Sequence, residues 1–223
     1  GSPESAVGHR WRQALPKGAL GGGMRLLMEQ ASRVLEDHAV NRVRLDLGEN
    51  PANLIWLWGP AQMDRGRIFM ERTGLSGAII ARRFPLRGLA RSLGFTWETA
   101  PQDLLEESSL RQLAELALGQ ARRHAVVYVH VPVVSHGSAE RFCVMERLDR
   151  FVLKPLTEEL PTLGPWRLAV VVDDRTLGWV PFVAVGSGLP RHPVARLAPE
   201  ALLEQGLVFR GGAEWFQWLV APR

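Results

Sequence analysis

At 223 residues with 46% hydrophobic content, the chain is long and apolar enough to bury a core, which argues against a disordered polypeptide. The formal net charge is only +4, yet the isoelectric point is about 10.1. Lys17 and Lys154 are the only lysines, and arginine, which stays charged at any accessible pH, makes up the rest of the basic set. The arginines are scattered, in pairs such as "ARR" at 81 to 83 and 121 to 123, without the aromatic interleaving of a nucleic-acid surface, so they read as solvated surface. The longest apolar runs, "NLIWLWG" and "AVVYVHVPVV", fall far short of the roughly 20 residues that span a bilayer. One cysteine, Cys143, rules out an internal disulfide and a cysteine-based zinc site. These features predict a soluble cytoplasmic protein with no nucleic-acid or membrane partner.

The opening "GSPES" (1–5) reads as a cloning remnant, and residues 6–50 as an N-terminal helical segment. Behind "GALGGG", Met24, Leu27, Met28, Ala31, Val34 and Leu35 recur at three and four residues, predicting an amphipathic helix over 21–38. "PANLIWLWG" is β-like and opens an α/β domain over 51–223. A helix over 63–72 stops at Thr73-Gly74, "SGAIIA" is a short buried strand, and a helix over 86–93 ends at Gly94. Another helix, 108–123, runs into the apolar strand "AVVYVHV". A long helix over 139–159 sets Phe142, Met145, Leu148, Val152 and Leu156 along one face, with Pro155 able to kink its last turn. "RLAVVV" and "WVPFVAVG" are strands, and "PEALLEQ" and "AEWFQWLV" are helical patterns. Strands alternating with amphipathic helices predict an α/β fold, a mostly parallel sheet flanked by helices.

The run "RLAVVVDD" delivers two carboxylates, Asp173 and Asp174, to the end of a strand, where α/β proteins place their chemistry. The competing reading is a turn in which an Asp side chain accepts from nearby backbone N–H groups. His130 and His136 flank the end of another strand and suggest a metal pair, or simply hydrogen-bonded histidines.

"HAVNRVRLDLGENPANLIWLWG" resembles the archaeal-type cofactor-independent phosphoglycerate mutases of the alkaline phosphatase superfamily, whose pattern there is approximately hPvNxxRxxxGxxpAnxiWlWG. "ERTGLSGAIIA", "VYVHV", "MERLDRFVLKPL" (family IExiDxxvvxpl) and "VPFVAVG" continue the likeness in order. The resemblance covers the C-terminal half of that family and implies an alkaline-phosphatase-like partial fold. It also implies two divalent metals beside a Ser or Thr nucleophile. The nucleophile and one Asp ligand belong to the N-terminal half, to which no segment here is similar.

Where the family carries Asp-His before a Thr, this chain has Asp173-Asp174-Arg175-Thr176, and the histidine that follows in the family is missing from "LGWVPF". Where the family reads HVeapDexxH, the chain reads "HVPVVSHGSAER", which keeps only His136 as a ligand. Asp173, Asp174 and His136 are therefore expected to be a vestigial metal set. Asn41 and Arg44, in the well-kept N-terminal match, are the candidate contacts to a phosphorylated metabolite; Arg44 has a surface helix-end role as its alternative.

The resulting expectation is a non-catalytic pseudoenzyme domain acting as a binding or scaffold module without cofactor. The alternative is a phosphoryl-transfer enzyme, using Mn or Zn, completed by a missing N-terminal half. Exposed strand edges and aromatic-rich segments predict self-association or docking onto another protein or domain.

Overall fold

The computed structural model describes residues 2–60, 69–133, 137–173, 179–190 and 206–221, and the chain divides into two compact units, Gly1–Asp64 and Arg65–Arg223. The expected helix "PEALLEQ" lies outside the described residues.

The first unit is helical. After α1 (Pro3–Ala6) and a 3-10 turn, α2 (Gly21–Glu36) and α3 (Ala39–Asp46) form a corner at His38, whose ring accepts from the Val40 N–H and caps α3. Met28 is fully buried, but Leu27 and Val34 of the expected apolar stripe are exposed, so the covered stripe is narrower than the periodicity predicts. The β-like run fails to form a strand: residues 51–60 have no regular secondary structure. Its leading carbonyls are taken by side chains instead of a ladder. Arg44 donates to Asn50, Asn41 to Ala52 and Ser32 to Asn53.

The second unit is α/β, as expected. It begins with α4 (Phe69–Thr73); the expected helix covers 63–72, of which 61–68 lie outside the described residues. β1 (Gly77–Ala81), β2 (Thr96–Thr99) and β3 (Val126–Val129) form a parallel sheet in the order β2-β1-β3. The strand β2, "TWET", has no apolar run to announce it and was missed. In register, Ile79 lies beside Trp97 and Tyr128, and Ile80 beside Glu98 and Val129. The first face packs under α5 (Phe84–Leu93), where Ile79 and Ala81 meet Ala90 and Leu86. The second packs under α6 (Glu107–Ala121), where Ile80 joins Leu110, Leu113, Ala114 and Ala117. The α5 helix ends at Gly94, whose φ of 71° is the left-handed cap conformation glycine adopts without strain.

The long helix after β3 is continuous but not uniform. It runs as α7 (Ser138–Leu148), a π-helical turn over Asp149–Leu153, and α8 (Lys154–Glu159). Pro155 has no N–H to donate, and the widened turn before it absorbs the proline where the sequence predicts a kink. Val144, Phe151, Val152 and Leu156 are buried, whereas Phe142 and Met145, expected on the core face, are exposed.

The last strands depart from an all-parallel sheet. β4 (Arg167–Val171) and β5 (Phe182–Gly186) form a separate antiparallel pair. One face carries Phe182, which meets Phe209, Trp215 and Trp218 at centroid distances of 5.8–6.0 Å, the two tryptophans coming from α9 (Gly212–Val220). Arg167 fixes that docking by donating to the carbonyls of Ser187, Leu219 and Ala221, where a cation also complements the helix C-terminus.

Gly186, at φ 132°, is the tightest backbone position in this unit: an added Cβ would collide with the Trp166 carbonyl. Gly186→Ala is expected to cost about 2 kcal/mol or more. Urea unfolding would check this, and a midpoint equal to that of the parent would refute it.

Candidate functional site at the carboxyl rim of the sheet

Parallel strands deliver their carboxyl ends to one rim. At the end of β1 the buried run stops at Ala81 and Arg82-Arg83 begin; Arg82 donates to the Ala100 carbonyl at 3.0 Å, joining the ends of β1 and β2. At the end of β3, the His130 N–H donates to the Ile80 carbonyl at 2.9 Å, which fixes the imidazole at the rim. Beyond β4, the Val172 N–H donates to Pro181 and holds the exposed Asp173 at the strand end.

These groups sense one another. Burial lowers the His130 pKa from its ordinary value, the Arg83 guanidinium lowers it further, and a backbone hydrogen bond and the Asp173 carboxylate act in opposition. Nδ1 of His130 is buried without a hydrogen-bond partner. The Tyr128 hydroxyl is pushed up by burial first and by Asp173 second. The rim is therefore a mixed cluster of Arg83, Tyr128, His130 and Asp173. Asp174 and His136 lie outside the described residues. Arg83 and Tyr128 were missed, although an arginine directly after a buried strand of a parallel sheet is a signal that could have found the first.

Two divalent metals need several carboxylate and imidazole ligands at fixed geometry. The described rim supplies one carboxylate and one imidazole, with a guanidinium acting on that imidazole. Among the described residues no group of three or more His, Cys, Asp or Glu side chains could hold a metal ion. The described residues do not fit a two-metal centre.

Asn41 and Arg44 lie in the first unit and both hold the chain that follows α3. Asn41 is 3% exposed; its amide donates to the carbonyls of Leu35 (2.6 Å) and Ala52 (2.7 Å) and accepts from the Ala52 N–H (2.9 Å). Both amide hydrogens are thereby engaged. Arg44 donates from Nε to the Asn50 carbonyl at 2.8 Å and pairs with Glu49 at 3.3 Å, a surface pair.

The similarities of the chain point one way. A 2,3-bisphosphoglycerate-independent phosphoglycerate mutase of Methanothrix thermoacetophila is 30% identical over 206 residues, 84% of this chain and 52% of that protein. A probable enzyme of the same name from Geobacter sulfurreducens is 29% identical over 234 residues, 94% of this chain and 56% of the relative. A solved cofactor-independent phosphoglycerate mutase from Thermoplasma acidophilum superimposes with a TM-score of 0.54 at 26% identity, covering 84% of this chain and 48% of that one. The chain is a partial homologue of the cofactor-independent phosphoglycerate mutases. It spans about half the length of the curated relatives it matches. A Pyrococcus horikoshii protein, TM-score 0.58 at 17% identity, shares the fold. No family model matches the chain. No helix among the described residues is long and apolar enough to cross a membrane.

Two expectations follow from the geometry. Asn41→Ala leaves the Ala52 N–H and two carbonyls without their partner, so about 2–3 kcal/mol of stability should be lost; chemical denaturation of the variant tests this.

For His130, the folded pKa lies below the unfolded one. The unfolded chain therefore binds the proton first as pH falls, and stability declines from the ordinary histidine value of 6.5 downward. An NMR titration should place its midpoint below 6.5, move it up in Arg83→Ala and move it further down in Asp173→Asn. A midpoint indifferent to both substitutions would remove the rim cluster.

Proposed function

We propose that the chain is a pseudoenzyme: a non-catalytic binding or scaffold module on a phosphoglycerate mutase-like α/β framework. The observation that carries this reading is the ligand content around the rim. No histidine follows Asp173 before Pro181, and no acid lies between His130 and His136. With Arg83 acting on His130, the rim is a poor place to assemble two cations.

What the module binds is, on this reading, another protein domain. The antiparallel pair β4 and β5 turns Leu168, Val170, Val183 and Val185 to the face opposite Phe182, and Val170, Val183 and Val185 are exposed. An antiparallel sheet facing water normally alternates apolar with polar residues, so an all-aliphatic outer face is suited to being covered. The occupant we favour is a domain complementary to this one, because the chain spans about half of its relatives. Self-association through the same face is the other outcome that light scattering on a sizing column would detect.

The exposed face and the half-length span also suit the second reading, a metal-dependent phosphoryl-transfer enzyme completed by a further half. The two diverge in metal and turnover. The pseudoenzyme reading expects no stoichiometric Mn or Zn after dialysis and no phosphoglycerate mutase or phosphatase activity above background. Close to two metals per chain, with a turnover abolished in a folded Asp173→Ala variant, would overturn it in favour of the enzyme. A strictly monomeric chain that binds no hydrophobic dye would overturn the docking face.

A further inference from the structure

Three arginines that are not part of the rim cluster converge on one phenyl ring. The guanidinium carbons of Arg111, Arg150 and Arg147 lie 5.0, 5.3 and 5.8 Å from the Phe151 centroid. Phe151 is 7% exposed and belongs to the core under α6. A phenyl ring has two electron-rich faces, so cation–π attraction accounts for two cations and leaves a third unexplained. Three like charges around one ring also repel.

Their compensation is incomplete. Arg111 pairs with Glu107, donating from Nε and Nη2 at 2.8 and 2.7 Å. Among the described residues neither Arg147 nor Arg150 has a carboxylate within ion-pair distance, although Glu146 and Asp149 are their chain neighbours. Nε of Arg147 is buried without a hydrogen-bond partner.

The backbone is shaped for this convergence. Adjacent residues of a regular α-helix do not face each other, so Arg150 over the ring of Phe151 is foreign to α geometry. Both residues sit in the π-helical turn Asp149–Leu153, and such turns recur at functional sites.

We propose that Arg111, Arg147 and Arg150 around Phe151 form an oxyanion-binding site for a phosphoryl group. Two uncompensated guanidinium forks match a group carrying about two negative charges and three acceptor oxygens. The reading is independent of the rim and of the docking face.

Calorimetric titration of the full chain with inorganic pyrophosphate, in metal-free low-salt buffer, tests it. Saturable one-to-one binding is expected, accompanied by a rise in melting temperature. Arg147→Gln combined with Arg150→Gln should weaken binding about tenfold or more, and Arg150→Lys, which keeps the charge but loses the fork, should weaken it less. Arg87→Gln, at an exposed position of α5, should leave it unchanged. If the double variant loses its circular dichroism, Arg150→Gln alone, at an exposed residue, carries the same expectation. Absence of saturable binding, or an equal loss in Arg87→Gln, would overturn the site.

Discussion

The five residues of β1 are closed in from four directions: β2 and β3 pair with its edges, and α5 and α6 cover its faces. Every residue from Gly77 to Ala81 is buried, so the strand tolerates no polar side chain and little bulk. Gly77 admits the Phe95 ring where a Cβ would stand, and Phe95 is in turn held edge-to-face by Phe69 at 5.0 Å. Burial ends at Ala81, and the next two residues are arginines. The abrupt change of polarity positions the rim: one end of the strand is fixed in the core, and the other is forced to emerge as charge beside His130.

That emergence gives the rim its electrostatic character. A partly buried imidazole already resists protonation, and a guanidinium nearby adds to the resistance, while Asp173 pulls the other way from beyond β4. An imidazole kept neutral can ligate or accept, but the cation that helps keep it neutral opposes a metal ion at the same place. The cluster is thus better matched to an anionic or hydrogen-bonding neighbour than to a pair of divalent cations.

How much of this was legible depends on whether a residue's environment is local. The strand "GAIIA", the stop at Gly94 and the helix over α6 follow from apolar runs, a left-handed cap and three-four periodicity. The four-residue strand β2 was not legible: three of its four residues are polar, and it is made a strand by pairing with β1 and by Gln120 on α6 donating to Glu98 at 3.0 Å. Conversely, "PANLIWLWG" has strand composition but meets Asn41, Arg44 and Ser32, whose side chains take its leading carbonyls. The π-turn was invisible for a similar reason. Pro155 announces a disturbed helix, yet the choice between a kink and a widened turn rests on how Phe151 and Val152 pack under α6. At the site, Asp173 was legible from the end of an apolar run and Arg83 from the end of another, whereas the action of Arg83 on His130 required knowing that β1 and β3 are neighbours.

The antiparallel pair poses the sharpest contrast between composition and cover. Its Phe182 face is satisfied by α9, with Arg167 tying the strand to the helix end. Its other face is just as apolar, though only Leu168 reaches the core. Exposed valines at 170, 183 and 185 leave β-branched surface in water. A sheet built to face solvent would gain from Thr or Lys at those positions, and the proposed docking face accounts for valine standing there instead. Because β4 runs directly into Asp173, whatever lies over those valines also borders the rim. Cover and chemistry are therefore coupled through one strand, and a partner seated there would change the burial, and with it the proton affinity, of the groups around His130.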